Sequence, residues 1–209
     1  MTGRTRGIAA GLDRERVVAT AVALVDRDGP ERFGVRRLAQ ELGVDPMSIY
    51  HHIKGKAALL DAMSEAVLTE VAAATAGDAS RRWEDVARRT AHAYREMAYR
   101  HPRLFPLLVT RAQTSPVALS ALEELATAMR AAGLPDQVVS DAPMVLFSFL
   151  NGHLLARTGD RPAAAPAFDA TAYPAMAALA PLMADFGSLT EFDRMLDTVL
   201  AGIEARAAR

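Results

Sequence analysis

Residues 35–56, VRRLAQELGVDPMSIYHHIKGK, decide the fold. Val35–Leu42 reads as a short helix in which Leu38, Ala39 and Leu42 fall at three- and four-residue steps and so share one face. Gly43 stands where the chain must reverse, and without a Cβ it can take the positive φ that a reversal needs. Val44 plugs the turn. Asp45 is placed to cap a second helix with its carboxylate, and Pro46 stands at the first helical position, where a missing N–H costs nothing. In that second helix Ile49 and Ile53 look back toward Leu38 and Leu42. Met47, Ser48, Tyr50, His51 and His52 are left on the outer face.

An outer face of hydroxyl, imidazole and aromatic groups, with almost no acid, suits base edges and phosphates. A helix–turn–helix that docks on DNA lays its second helix in the major groove, with the N-terminal residues of that helix against the bases. The same two helices also make a solvated corner in ordinary helical bundles, so the geometry leaves both uses open.

The flanking sequence adds more. Residues 12–63, LDRERVVATAVALVDRDGPERFGVRRLAQELGVDPMSIYHHIKGKAALLDAM, resemble the N-terminal domain of the TetR family of transcriptional repressors. The matching blocks come in order: an amphipathic first helix, a G-P-E-R-F turn, RRLAQELGV, then IYHHIKGKAALLDAM. Several blocks in one order carry more than a lone short motif. The resemblance implies that Tyr50, His52 and Lys56 touch the DNA backbone. It implies that Arg36, Pro46, Met47, Ser48 and His51 face bases or neighbouring phosphates.

Composition bounds the rest. At 209 residues, 51% of them hydrophobic, the chain can bury a sizeable core. It has no cysteine, which removes disulfides and thiolate chemistry. No signal peptide opens it and no unbroken apolar run is long enough for a bilayer, so no membrane partner is expected and a cytoplasmic location fits. The net charge is −1, yet residues 1–60 carry ten Lys or Arg against seven Asp or Glu, so the excess of acid lies in the remainder. Two copies of the basic end would double the positive footprint offered to phosphates.

In chain order, residues 1–11 hold Arg4 and Arg6 and are expected to be a disordered arm, able to touch DNA or idle. Residues 13–28 form a first helix with a Val17, Val18, Ala21, Leu24, Val25 stripe, stopped by Gly29-Pro30. Phe33 is a candidate core residue beneath the helix–turn–helix. Gly55 is expected to end the recognition helix, and a helix over about 57–75 is the candidate lever to the second half. A helix over about 81–100 places Trp83, Thr90, Tyr94 and Met97 on one face, a mixture that serves as core or lines a small-molecule pocket. Pro106 should keep 104–110 irregular, and a capped helix follows from Pro116 toward Gly133. Pro143 should kink the next helix, whose MVLFSFLNGHLLA stretch is apolar nearly all round. Residues 158–166 read as a linker. Pro174 and Pro181 should interrupt a helix over 169–186. Thr190 is expected to cap the last helix, with Asp193 completing a capping box.

The reading is therefore all-α: a three-helix, helix–turn–helix DNA-binding domain (1–56) and a helical ligand-binding and dimerisation domain (57–209). The second half, through WEDVARRTAHAYREMAYRHPRL, LEELATAMRAAGL and FSFLNGHLL, resembles the ligand-binding domain of the tetracycline-repressor branch. That resemblance implies a homodimer through the helices around 147–155 and 192–203. It also implies an effector pocket, for which Thr90, Tyr94, Met97, Phe105, Met129, Phe147 and Asn151 are the candidates. The branch's magnesium–tetracycline ligands fall here at Ala72, Pro106 and Ala156, which cannot coordinate, so no metal and no cofactor is expected and an apolar or aromatic effector fits better. The implied function is a ligand-responsive repressor on a palindromic operator. Two rivals stand beside it: a helical binding protein without DNA, and an enzyme built on the His92–Glu96 pair one helical turn apart, a spacing that also suits a surface hydrogen bond.

Overall fold

In the computed structural model residues 12–77, 80–158 and 167–208 are described, and all regular elements among them are helical. The expected arm with Arg4 and Arg6, and residues 159–166 of the expected linker, lie outside the described residues.

The first helix, α1 (Arg14–Asp28), begins where the Asp13 carboxylate accepts the Arg16 N–H at 2.7 Å. Its predicted stripe of Val17, Val18, Ala21, Leu24 and Val25 is buried. Helices α2 (Val35–Leu42) and α3 (Pro46–His52) pack on it, with Phe33 buried below them. Each fully buried branched side chain here, such as Leu38 and Ile49, contributes roughly 1.5–3 kcal/mol to holding the unit together.

The recognition helix is shorter than expected. It stops at His52, Ile53 is its C-cap, and Gly55 opens α4 (Gly55–Thr75) rather than closing α3. Gly55 has φ +96, a value that only glycine takes without strain, so the chain turns at once into the next helix. Helix α4 packs on α1 with one face and on α5 (Trp83–Arg100), α6 (Phe105–Val109) and α7 (Pro116–Ala131) with others. The buried core runs without a break from Val17 to Ile203 through it.

Helix α8 (Asp136–Arg157) packs against α5, α6, α7 and α10 (Leu189–Ala207). It continues through Pro143 unbroken, because buried Val138, Val139 and Ala142 before the proline and Leu146, Leu150 and Leu154 after it anchor both parts. By length and composition alone α8 could cross a bilayer, contrary to expectation; in the fold its Leu146, Leu150, Leu154 stripe faces protein.

Other prolines also act differently from expectation. Pro106 sits in the first turn of α6 and Pro174 in that of α9 (Pro174–Leu179), where a missing N–H is harmless, so each starts a helix instead of breaking one. A 3-10 turn, Ala180–Met183, follows α9. The last helix is capped two residues earlier than expected. Ser188 Oγ accepts the Glu191 N–H at 3.1 Å, and Glu191 Oε2 accepts the Gly187 N–H at 2.7 Å. Glu191 wins over Asp193 because it is buried against the Arg157 guanidinium, 3.0 Å away, which itself lies over the Phe186 ring.

Candidate functional site

The turn between α2 and α3 follows from three residues. Gly43 takes φ +67, and its N–H reaches the carbonyls of Ala39 and Gln40. Val44 N–H returns to the Ala39 carbonyl at 2.9 Å. Asp45 Oδ1 accepts the Met47 N–H at 2.8 Å, fixing the first turn of α3. Ile49 and Ile53 are buried, so the opposite face is the one offered outward. Met47 is 63% exposed and Tyr50 39%; His51 and His52 are exposed, while Pro46 and Ser48 are half-buried at the helix start. No acidic side chain lies on α3.

Two further basic groups flank this helix. Arg36, on α2, is exposed and makes no ion pair among the described residues; with Arg37, Gln40 and Glu41 it lines a shallow groove of about 510 Å³. Arg37 is tied down, its Nη2 lying 2.8 Å from Asp28. Arg27 brackets Glu41 with both Nη atoms at 2.9 Å and also reaches Asp28. This guanidinium holds the Asp28 and Glu41 carboxyls below their usual range. Exposed pairs of this kind add little stability; what they do is set α2 against the last turn of α1.

The start of α4 is the second charged element. Lys54 is its N-cap residue, with no side-chain cap, and the first turn contains Lys56 and no acid. Cations at a helix N-terminus are unfavourable by about 0.3–1 kcal/mol each, whereas an anion there is favoured. Lys54 and Lys56 are both exposed there, next to the end of α3, and the Gly55 N–H donates to the Ile53 carbonyl at 3.1 Å.

In the second half the sequence brings a tight cluster together. The Tyr94 ring meets Phe105 and Phe147 edge-on, with centroids 5.7 and 5.5 Å apart, and its hydroxyl donates to Asn151 Oδ1 at 2.9 Å. Burial pushes the Tyr94 phenol far above its ordinary pKa. Thr90, Met97 and Met129 are buried on α5 and α7, helices that pack on each other and on α8. Phe147 and Asn151, on α8, are half-buried. A more open groove, of about 720 Å³, lies instead where α1, α4 and the α6–α7 loop meet, lined by Arg14, Asp61, Ser64, Arg111 and Thr114 among others.

The other candidates are redistributed. His92 and Glu96 do not pair: His92 Nε2 is 3.1 Å from Asp193 on α10, and Glu96 lies 3.7 Å from Arg95. Phe192 is fully buried among the rings of His92, Phe149 and His153, facing its own chain rather than a partner. The apolar side chains left exposed on α8 and α10 are Met144, Val145, Leu155, Leu189 and Met195. Sequence reasoning missed His101, which is buried between carboxylates of α1 and α4. Its partners lie 75 and 31 residues away, and no local pattern announces them.

A three-helix head with an outward, acid-free recognition helix, joined through one long helix to a larger helical domain, is the build of a DNA-binding transcriptional regulator. Comparison with known proteins agrees. The family model for bacterial regulatory proteins of the tetR family matches residues 17–63, and that for the tetracyclin repressor-like C-terminal domain matches residues 76–207. The chain belongs to the TetR family, whose members are DNA-binding regulators and not enzymes.

Among its relatives, the HTH-type transcriptional repressor DrrR1 of Streptomyces coeruleorubidus is 35% identical over 156 residues, 72% of this chain and 56% of that protein. The match thus spans little more than half of DrrR1. An HTH-type transcriptional regulator of Saccharopolyspora erythraea is 31% identical over 207 residues, 94% of this chain and 86% of that one. Among solved structures, ActR of Streptomyces coelicolor in complex with actinorhodin superposes with a TM-score of 0.80 at 26% identity, covering 95% of this chain and 98% of that chain.

Proposed function

We propose that this protein is a cytoplasmic, ligand-responsive repressor that binds a palindromic DNA operator as a homodimer and is released by a small, largely apolar or aromatic effector. The observation that carries the reading is the α3 face. Met47, Tyr50, His51 and His52 point outward from a helix held rigid by Ile49, Ile53 and the Asp45 cap, beside the uncapped, lysine-bearing start of α4. Arg36, Pro46, Met47, Ser48 and His51 are assigned to bases and adjacent phosphates, and Tyr50, His52 and Lys56 to the backbone. Residues 1–56 are assigned to the DNA-reading domain and 57–209 to effector binding and dimerisation.

The large apolar side chains left exposed on α8 and α10, Met144, Val145 and Leu155 on one and Leu189 and Met195 on the other, support a partner for these two packed helices. Two heads so joined would set their recognition helices about one helical turn, ~34 Å, apart. Thr90, Tyr94, Met97, Phe105, Met129, Phe147 and Asn151 are assigned to the effector pocket, which opens when Tyr94 exchanges its ring and hydroxyl contacts for those of a ligand. The ActR complex with actinorhodin, a small molecule held by a similar fold, supports an effector in this domain. Release of DNA then follows from the effector's different affinity for two conformations.

The test is selection of bound fragments from sheared genomic DNA of the source organism, with a Tyr50→Ala, Lys56→Ala control. Enrichment of a palindromic site by wild type and not by the control is the expected result. Equal recovery by both, or no enrichment at low salt, would sink the reading.

A further inference from the structure

The last turn of α1 is gripped from two sides by three consecutive residues. Asp26 points toward the second domain, where its Oδ2 lies 2.6 Å from His101 Nδ1. Arg27 points toward α2 and brackets Glu41, while its carbonyl accepts from Arg103 Nη1 at 2.6 Å. Asp28 accepts from Arg37 of α2. Whatever moves this turn therefore moves α2, and with it the seat of α3.

On the other side, His101 is built into the corner between α5 and α6. Its N–H closes α5 on the Met97 carbonyl at 2.9 Å. Its own carbonyl accepts from Leu104 and Phe105 N–H at 3.1 and 2.9 Å. Met97 and Phe105 are two of the effector-core residues, and Phe105 touches the Tyr94 ring. The His101 side chain is buried, and its second nitrogen, Nε2, lies 3.1 Å from Glu70 of α4. Glu70 is also paired with Arg100.

We propose that His101 is a positioning residue that couples the effector core to the DNA-reading head, by holding Asp26 of α1 and Glu70 of α4 against the α5–α6 corner. The inference rests on the regulator reading above and adds the route of its coupling. The chemistry requires both imidazole nitrogens to donate. Only the imidazolium can do so; the neutral ring keeps one N–H and presents a lone pair to the other carboxylate. Asp26 Oδ1 is buried with no hydrogen-bond partner among the described residues, so His101 is the group on which Asp26 depends.

The charged groups around the ring are Asp26 and Arg27 of α1, Glu70 of α4, and Arg100 and Arg103 on its own segment. The hydrogen bond to Asp26 raises the pKa of His101 above its ordinary 6.5 against the opposing effect of burial. A raised folded value means that the grip is complete below pH ~6.5 and is lost as pH climbs through the folded pKa. A gripped α1 holds the head in one orientation, and such preorganisation favours DNA binding.

The experiment uses the full chain as wild type, H101Q and D26N. Proton–carbon NMR of the imidazoles assigns His101 by its absence from H101Q; it should titrate above 6.5 in wild type and shift down in D26N. DNA affinity at low salt, on random duplex as the probe, is then followed from pH 6 to 8.5. Any pH dependence that does not come from His101 is common to wild type and H101Q, so the ratio of the two affinities isolates His101. That ratio should fall by about threefold or more as pH rises. A constant ratio with intact DNA binding overturns the coupling alone, as does a His101 that titrates at or below 6.5 or ignores D26N. Wild type that binds no DNA at any pH overturns the regulator reading, and this inference with it.

Discussion

Tyr50 and Tyr94 are the same residue put to opposite uses. Tyr50 is 39% exposed on α3, with no hydrogen bond or ring contact of its side chain among the described residues. Tyr94 is 4% exposed, wedged edge-on between Phe105 and Phe147 with its hydroxyl on Asn151. The histidines divide in the same way: His51 and His52 face solvent, while His101 is buried between two carboxylates. The outer face of α3 thus keeps its polar and aromatic groups unspent, on a rigid base of Leu38, Ile49 and Ile53. The second domain spends the same groups on itself. The face assigned to DNA and the core assigned to an effector differ in where their side chains already find partners.

If that division is right, losses in the two regions should register in different measurements. The largest effect is expected from Phe105→Ala, which empties a fully buried ring site and should lower unfolding free energy by roughly 3–5 kcal/mol in urea titration. A smaller loss would mean that the cluster is already loosely packed. Tyr50→Ala combined with Lys56→Ala should leave the urea midpoint in place and weaken DNA binding by about 1–3 kcal/mol, roughly fivefold or more. Lys56→Ala alone should also reduce the slope of log affinity against log salt by about one per protomer, hence about two for a dimer. A slope reduction near one would count against two heads on the DNA.

Smaller still, Asp45→Ala removes the α3 cap and should cost about 1 kcal/mol, read as faster amide exchange in residues 47–49. Here the head pays in local order, not in contacts to DNA. Tyr94→Phe keeps both ring contacts but strips the donor from Asn151, an expected loss of about 1 kcal/mol or less. If it instead stabilised the protein, the hydroxyl would be a group held in reserve for a ligand.

What could be read ahead of the structure was local. The α2–turn–α3 unit announces itself through three- and four-residue spacings, one glycine at the reversal, and the Asp45-Pro46 start. Its flanking blocks then carried the family resemblance. Readings failed where the deciding partner was distant. Within Ser188-Leu189-Thr190-Glu191 two caps are possible, and Arg157, 34 residues back, selects the first by holding Glu191. His92 looked like a partner for Glu96 until α10 brought Asp193 to it. The candidate pocket residues were half visible: their shared helical face was periodic, but the meeting of Tyr94 with Phe147 and Asn151 depends on the packing of α5 on α8.

The lysine-bearing, uncapped opening of α4 separates two properties that a single surface would have entangled. On the assignment proposed above, Lys56 responds to charge and is blind to sequence, while Met47, Ser48 and His51 beside it read bases. Substitutions at 54–56 would then change how long the protein lingers on any duplex; substitutions at 47, 48 and 51 would change which duplex it prefers. A lineage carrying this fold can thus acquire a new operator without relearning how to find DNA.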